Sequence, residues 1–138
     1  MKINYLQQPK YIPLAYITSS SRDFITTTAI NVELSDGREI IIPKGYKTDL
    51  SSKPKWLWSF LPPFDERLIS SLIHDFLWTN KLEEIKHHGN IYKAFVFSNN
   101  EFNKWNKSLA PNSKLKNWLE YQFLKNFSTP FYIGKKNI

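Results

Sequence analysis

Residues 64–78 carry two stripes at helical spacing, and the rest of the chain must cover both. Leu68, Ile69, Leu72, Ile73, Phe76 and Leu77 recur every three or four residues and form one broad apolar face. Asp65 follows Pro62-Pro63 and is placed as an N-cap, with Phe64 and Ile69 as a hydrophobic staple. Ser71, His74, Asp75 and Trp78 share the other side. A solvated face favours Lys and Glu over a small residue, an imidazole, a carboxylate and an indole. The second face therefore meets another chain segment or a ligand.

Around this helix the order is strands first, then helices. That order predicts an α+β fold, with an N-terminal antiparallel β-hairpin or small sheet packed on about three C-terminal helices. A length of 138 residues fits a single domain over 1–138. Residues 1–20, with Pro9 and Pro13, read as an extended arm or edge strand ending in the loop Ser19–Arg22. Between Phe24 and Leu34, Ile30, Val32 and Leu34 alternate with Asn31 and Glu33, the pattern of a half-buried strand. Asp36-Gly37 is the strongest hairpin signal, Glu39–Ile42 returns as the second strand, and Pro43 stops it before a Lys44-Gly45 turn. The aromatic run Trp56–Leu61 fits a short helix.

Past the central helix, Asn80–Asn90 is charged and predicts a turn at His87-His88-Gly89-Asn90. Ile91–Phe97 suits a strand or a helix equally. Ser98 and Glu101 have capping-box spacing, which predicts a helix starting at Ser98 and packing Phe102, Trp105 and Leu109 inward until Pro111. Asn112 is placed to cap a last helix carrying Leu115, Trp118, Leu119, Tyr121 and Phe123. Residues 24–128 form the core of this reading, and 129–138 a loose tail.

Composition removes several functions. The chain has no cysteine, so disulfides, thiolate metal sites and Cys nucleophiles are excluded. No apolar run approaches about 20 residues, so no membrane span is expected. Met1–Gln8 lacks an apolar signal core, which predicts synthesis without export. The net charge of +7 favours anionic partners, a lipid surface or nucleic acid, although the lysines are scattered and weighted toward the C-terminal third.

His74, Asp75 and Asp49 form the first candidate catalytic set. Hydrolysis at neutral pH needs a base, and an imidazole is the natural one. Adjacent helical residues diverge by roughly 100°, so His74 and Asp75 can flank a pocket but not pair with each other. The Thr48–Ser52 loop supplies Asp49 as the best local carboxylate, and Asp75 with Asp49 could bind a hard divalent cation such as calcium. The alternative is structural: His74 bonds the loop backbone and the acids cap a helix or turn. His87-His88, with Glu83 and Glu84 nearby, is read as a solvated turn. Ser51 and Ser52 lack a nucleophile elbow. Trp56, Trp58 and Trp78 could stack bases, but core packing explains them more simply.

Three motifs in order carry a resemblance. They are the stretch from Ile42-Pro43-Lys44-Gly45-Tyr46 through Thr48-Asp49-Leu50-Ser51-Ser52-Lys53-Pro54, then Trp58 with Leu61-Pro62-Pro63, then His74-Asp75-Phe76-Leu77-Trp78. Together they resemble domain of unknown function 1353, found mostly in tailed phages and prophages, with the pattern V-P-x-G-F-x-T-D-x-A-S-x-P, L-x-P-P and H-D-x-L-Y. Trp78 stands where that family usually has Tyr, Ser51 where it has Ala, and Phe102-Asn103 where it tends to have Ala-Asp.

The resemblance implies a phage protein, made in the host cytoplasm and carried in the virion if it is a particle component. Its role would be that of a virion or tail-associated structural or interaction component, with phage structural proteins as partners. Thr48, Ser51, Ser52, Trp78 and Asn103 would then form a loop–helix junction locked by His74 and Asp75. A looser likeness, of the His-Asp helix alone, is to calcium-dependent phospholipases. It implies the alternative of a small metal-assisted hydrolase acting on lipid or cell envelope, with His74 as base and Asp75 binding calcium. The Gly-rich calcium loop of those enzymes is absent here, and Asn103 replaces their second carboxylate. Nucleic-acid binding, resting on charge alone, is the third reading.

Overall fold

The central helix forms as the periodicity predicts. A computed structural model describes residues 1–16, 24–48, 68–123 and 125, and in it α1 spans Leu68–Thr79. Ile69, Leu72, Ile73 and Leu77 are at most 1% exposed, and His74 and Trp78 on the second face are buried as well. Both stripes are therefore covered, which places α1 at the centre of the molecule. The expected Asp65 cap, Phe64 staple, Trp56–Leu61 helix, Ser19–Arg22 loop and 129–138 tail lie outside the described residues.

Among the described residues, six short strands precede α1: β1 (Lys2–Ile3), β2 (Leu14–Tyr16), β3 (Phe24–Thr26), β4 (Ile30–Glu33), β5 (Glu39–Ile42) and β6 (Lys47–Thr48). They form two three-stranded sheets, ordered β1-β4-β5 and β2-β3-β6. All pairings are antiparallel except β1 with β4, where Lys2 pairs Asn31 and Ile3 pairs Val32. The strand read as one run from Phe24 breaks at Thr27-Thr28 and serves both sheets. Within β4, Ile30 and Val32 point into the core, and Leu34 follows them.

The hairpin turn between β4 and β5 is a three-residue loop. Gly37 N donates to Leu34 O at 3.0 Å, and Leu34 N donates to Arg38 O at 2.8 Å. Gly37 sits at φ +86°, the left-handed position such a loop requires.

The helical half holds α1, α2 (Lys81–His88), α3 (Ile91–Leu109) and α4 (Lys114–Phe123). Three expectations are corrected here. First, His87 and His88 belong to the last turn of α2, not to a solvated turn. Its charges announce it: Glu83 and Glu84 lie in the first turn and Lys86, His87 and His88 in the last, matching the helix dipole. Second, α3 starts at Ile91, not Ser98. Asn90 caps it by accepting from Lys93 N at 2.8 Å. Ser98 is fully buried and its hydroxyl donates back to Phe95 O, so the capping-box spacing is coincidental.

Third, α4 turns a polar face inward. Asn117 and Glu120 are buried, while Leu115 and Trp118 are 63% and 56% exposed. Asn112 lies in the turn before α4, which begins one residue later than that cap implies. The reason lies at the end of α3, whose last carbonyls need donors. Asn117 Nδ2 donates to Ala110 O at 2.8 Å and to Asn106 O at 3.4 Å.

The main core joins Ile3, Phe24, Ile30, Val32, Leu34 and Ile42 of the strand region to Ile69, Leu72, Ile73, Leu77 and Trp105. Through this core runs one polar tie. Glu101, 1% exposed, accepts from Ser35 N at 2.8 Å, from the Ser35 hydroxyl and from Trp105 Nε1 at 3.1 Å. Tyr5 packs edge-on against Trp105 beside it, and its phenol is pushed up in pKa by burial first and then by the Glu101 charge. Removing the carboxylate strands several donors. Glu101→Ala is therefore expected to cost roughly 2–4 kcal/mol, seen as a lower urea midpoint at unchanged slope. Glu101→Gln should cost less. A loss under about 0.5 kcal/mol for the alanine variant would show that the tie carries little.

Candidate functional site

The Pro43–Tyr46 turn aims one side chain at α1. Gly45 takes φ +84°, and its N–H donates to Thr26 O at 2.9 Å. The buried Thr26 hydroxyl donates to Pro43 O at 2.6 Å and accepts from Tyr46 N at 2.9 Å. This Thr26 staple holds the turn against β3. The Tyr46 hydroxyl then donates to Asp75 Oδ2 at 3.1 Å and stands 2.7 Å from Thr79 Oγ1. Its ring meets Phe76 edge-on at 5.4 Å. The Ile-Pro-Lys-Gly-Tyr motif is thus a docking device between the strand region and the central helix.

His74 points elsewhere. It lies at the α1–α3 interface, 7% exposed, with Trp78 and Phe102 rings 5.1 and 5.4 Å away. Its Nε2 donates to Asn99 Oδ1 at 2.9 Å, since a carbonyl oxygen can only accept. Burial pushes the imidazole down to about 4, with the Asn99 bond working the other way. At neutral pH it is an uncharged hydrogen-bond donor in an aromatic box.

The sequence-derived residues therefore do not gather at one point among the described residues. His74 meets α3 and Asp75 meets Tyr46, as the angle between helical neighbours requires. Trp78 packs with Ala94 and Phe95 in a second small core. Thr48 is buried in β6. Asn103 lies one turn past Asn99 and lines a groove instead of facing His74's hydrogen bond. Asp49, Ser51 and Ser52 lie outside the described residues, and with Asp49 so does one half of the expected Asp49–Asp75 cation pair. The residue that sequence reasoning missed is Asn99. Its spacing from Phe102 and Asn106 places it on the inward face of α3, but the capping-box reading at Ser98 hid that periodicity.

The groove lies between α3 and α4. It encloses about 660 Å³ and is lined by Asn103 and Lys107 of α3, Pro111, and Lys114, Asn117, Trp118, Tyr121 and Gln122. Tyr121 of this lining donates its hydroxyl to Asn100 Oδ1 at 3.1 Å. A half-exposed indole, a phenol, two ammonium groups and three amides are the chemistry it offers.

Residues 25–109, more than half of the chain, match the family model described as "Protein of unknown function (DUF1353)". No curated protein and no solved structure matches the chain. The matched span ends with α3, so the Pro43–Tyr46 turn, His74, Asp75 and Asn99 fall inside it, while α4 falls outside.

The His74 environment predicts a pH dependence of stability. In the unfolded chain its pKa returns to near 6.5, well above the folded value of about 4. Between those values the unfolded state binds a proton that the folded state does not. Stability from this group is complete above about pH 6.5 and falls by about 3 kcal/mol as pH drops to about 4. Urea unfolding across that range should show the decline, and His74→Gln should flatten it. An equal decline in the variant would assign it to other groups.

Proposed function

This chain belongs to the DUF1353 family, and from that premise we propose that it is an interaction component that works by docking, not by catalysis. In the tailed-phage setting of the family resemblance, it is a virion or tail-associated protein. The observation that carries this reading is the orientation of α4. Trp118 is 56% exposed and Leu115 63%, on a helix that buries Asn117 and Glu120. An indole left in water forgoes roughly 2 kcal/mol of burial, which a partner recovers. Lys107 and Lys114 flank the groove beside Trp118 and select for negative charge. The fitting partner is a protein segment that presents an apolar side chain next to carboxylates.

The His74 surroundings favour the same side of the choice. A base must reach its substrate and hold a pKa near the working pH. This imidazole is enclosed, bonded to Asn99, and depressed to about 4. Its role in this reading is to hold α1 on α3, as Asp75 holds Tyr46.

The test is incorporation into particles assembled in the host, read by cosedimentation. Trp118→Ala combined with Lys114→Glu should lower incorporation by about tenfold or more. Both positions are exposed, so the melting temperature should stay unchanged. Undiminished incorporation of the double variant would end the docking reading. Ester or cell-envelope hydrolysis by the purified protein, lost in a folded His74→Gln variant, would replace it with the hydrolase. Steeply salt-dependent DNA binding lost in Lys114→Glu would replace it with nucleic-acid recognition.

A further inference from the structure

Two elements far apart in sequence bring metal-ligating side chains together. Asp36 lies in the β4–β5 hairpin turn, and His87 and His88 close α2. One carboxylate oxygen of Asp36 and one ring nitrogen of each histidine lie within 4.8 Å of one another. The His87 Nε2–Asp36 Oδ2 distance is 3.5 Å. Two donors held about 2.0–2.1 Å from a tetrahedral ion stand roughly 3.3 Å apart, so this pair is already near ligand spacing. Neighbouring histidines on a helix ordinarily diverge. Here the two rings sit 4.7 Å apart and nearly perpendicular, with His88 held against Phe97 at 4.5 Å.

We propose that Asp36, His87 and His88 form a binding site for a zinc-class transition-metal dication, with Arg38 as its built-in competitor. Two imidazoles and one carboxylate suit an ion of intermediate softness, with a fourth position left for water. Calcium prefers six to eight oxygen ligands, which this set does not offer. The lone pairs that the ion would use are the ones Arg38 now contacts. Its Nε donates to Asp36 Oδ2 at 2.7 Å, and its Nη2 donates to His88 Nε2 at 3.4 Å.

Arg38 need not leave when an ion arrives. It keeps a fork to Glu84, with Nη1 and Nη2 donating to the two carboxylate oxygens at 2.8 and 3.0 Å. Among the described residues, Glu84 is a further acid beside the site, 3.4 Å from His88 Nε2, and that fork commits it. A bound ion would clip the hairpin to α2, and neither His74 nor the α3–α4 groove takes part.

The experiment is a calorimetric titration of tag-free protein with zinc chloride slightly above neutral pH. One ion per chain is expected, and millimolar calcium should not compete. His87→Gln and Asp36→Asn should each weaken binding by about tenfold or more. Arg38→Met should tighten it, because the competing cation is gone. Folded wild type should also melt at a higher temperature with zinc present. No saturable uptake at millimolar zinc overturns the site, as does uptake indifferent to both His87→Gln and Asp36→Asn. Those two substitutions sit on the surface and decide the matter even if Arg38→Met disturbs the fold.

Discussion

The hairpin turn from Leu34 to Arg38 is clasped by both neighbouring helices. On one side Glu101 of α3 accepts both Ser35 donors inside the core. On the other, Glu84 of α2 takes the Arg38 guanidinium in a two-point fork. Both carboxylates are buried, so leaving either without its donors would be costly. Hydrophobic burial brings the strand region and helices together, but it would tolerate several relative placements. These two directional contacts select one of them.

The same logic orders the helices. Ser70 of α1 donates to Asn106 of α3, and His74 donates to Asn99. A later residue of α1 thus meets an earlier residue of α3, so the two run antiparallel. A slip by one turn would bury two amides and an imidazole without partners. His74 thus helps to set the register between α1 and α3. The adjacent Asp75 serves the opposite side of α1, receiving Tyr46 from the Pro43–Tyr46 turn. Two consecutive residues thus fasten two different layers to one helix.

The surface of α4 stands apart from this economy. Its inward residues serve the end of α3, and its indole faces water. The proposed docking face and the histidine cluster at the end of α2 lie on different elements, so the first can be altered without touching the second.

Local periodicity and turn chemistry made much of the architecture readable beforehand. The two stripes of α1, the alternation of Ile30, Val32 and Leu34, the Asp36-Gly37 hairpin and the inward Phe102 and Trp105 all follow from spacing alone, because burial repeats with the geometry of each element. Charged α2 and the start of α3 were harder. Polar residues do not advertise a face, and Ser98 with Glu101 satisfies a capping pattern as well as an interior one. What only the tertiary structure decided is where each buried polar group finds its partner: Asn99 for His74, Ser35 for Glu101, Asn117 for the end of α3, Asp36 beside two histidines. Apolar contacts are interchangeable and can be inferred from composition and period. Hydrogen bonds are directional and pair residues up to 102 positions apart, so their partners exist only once the chain has folded.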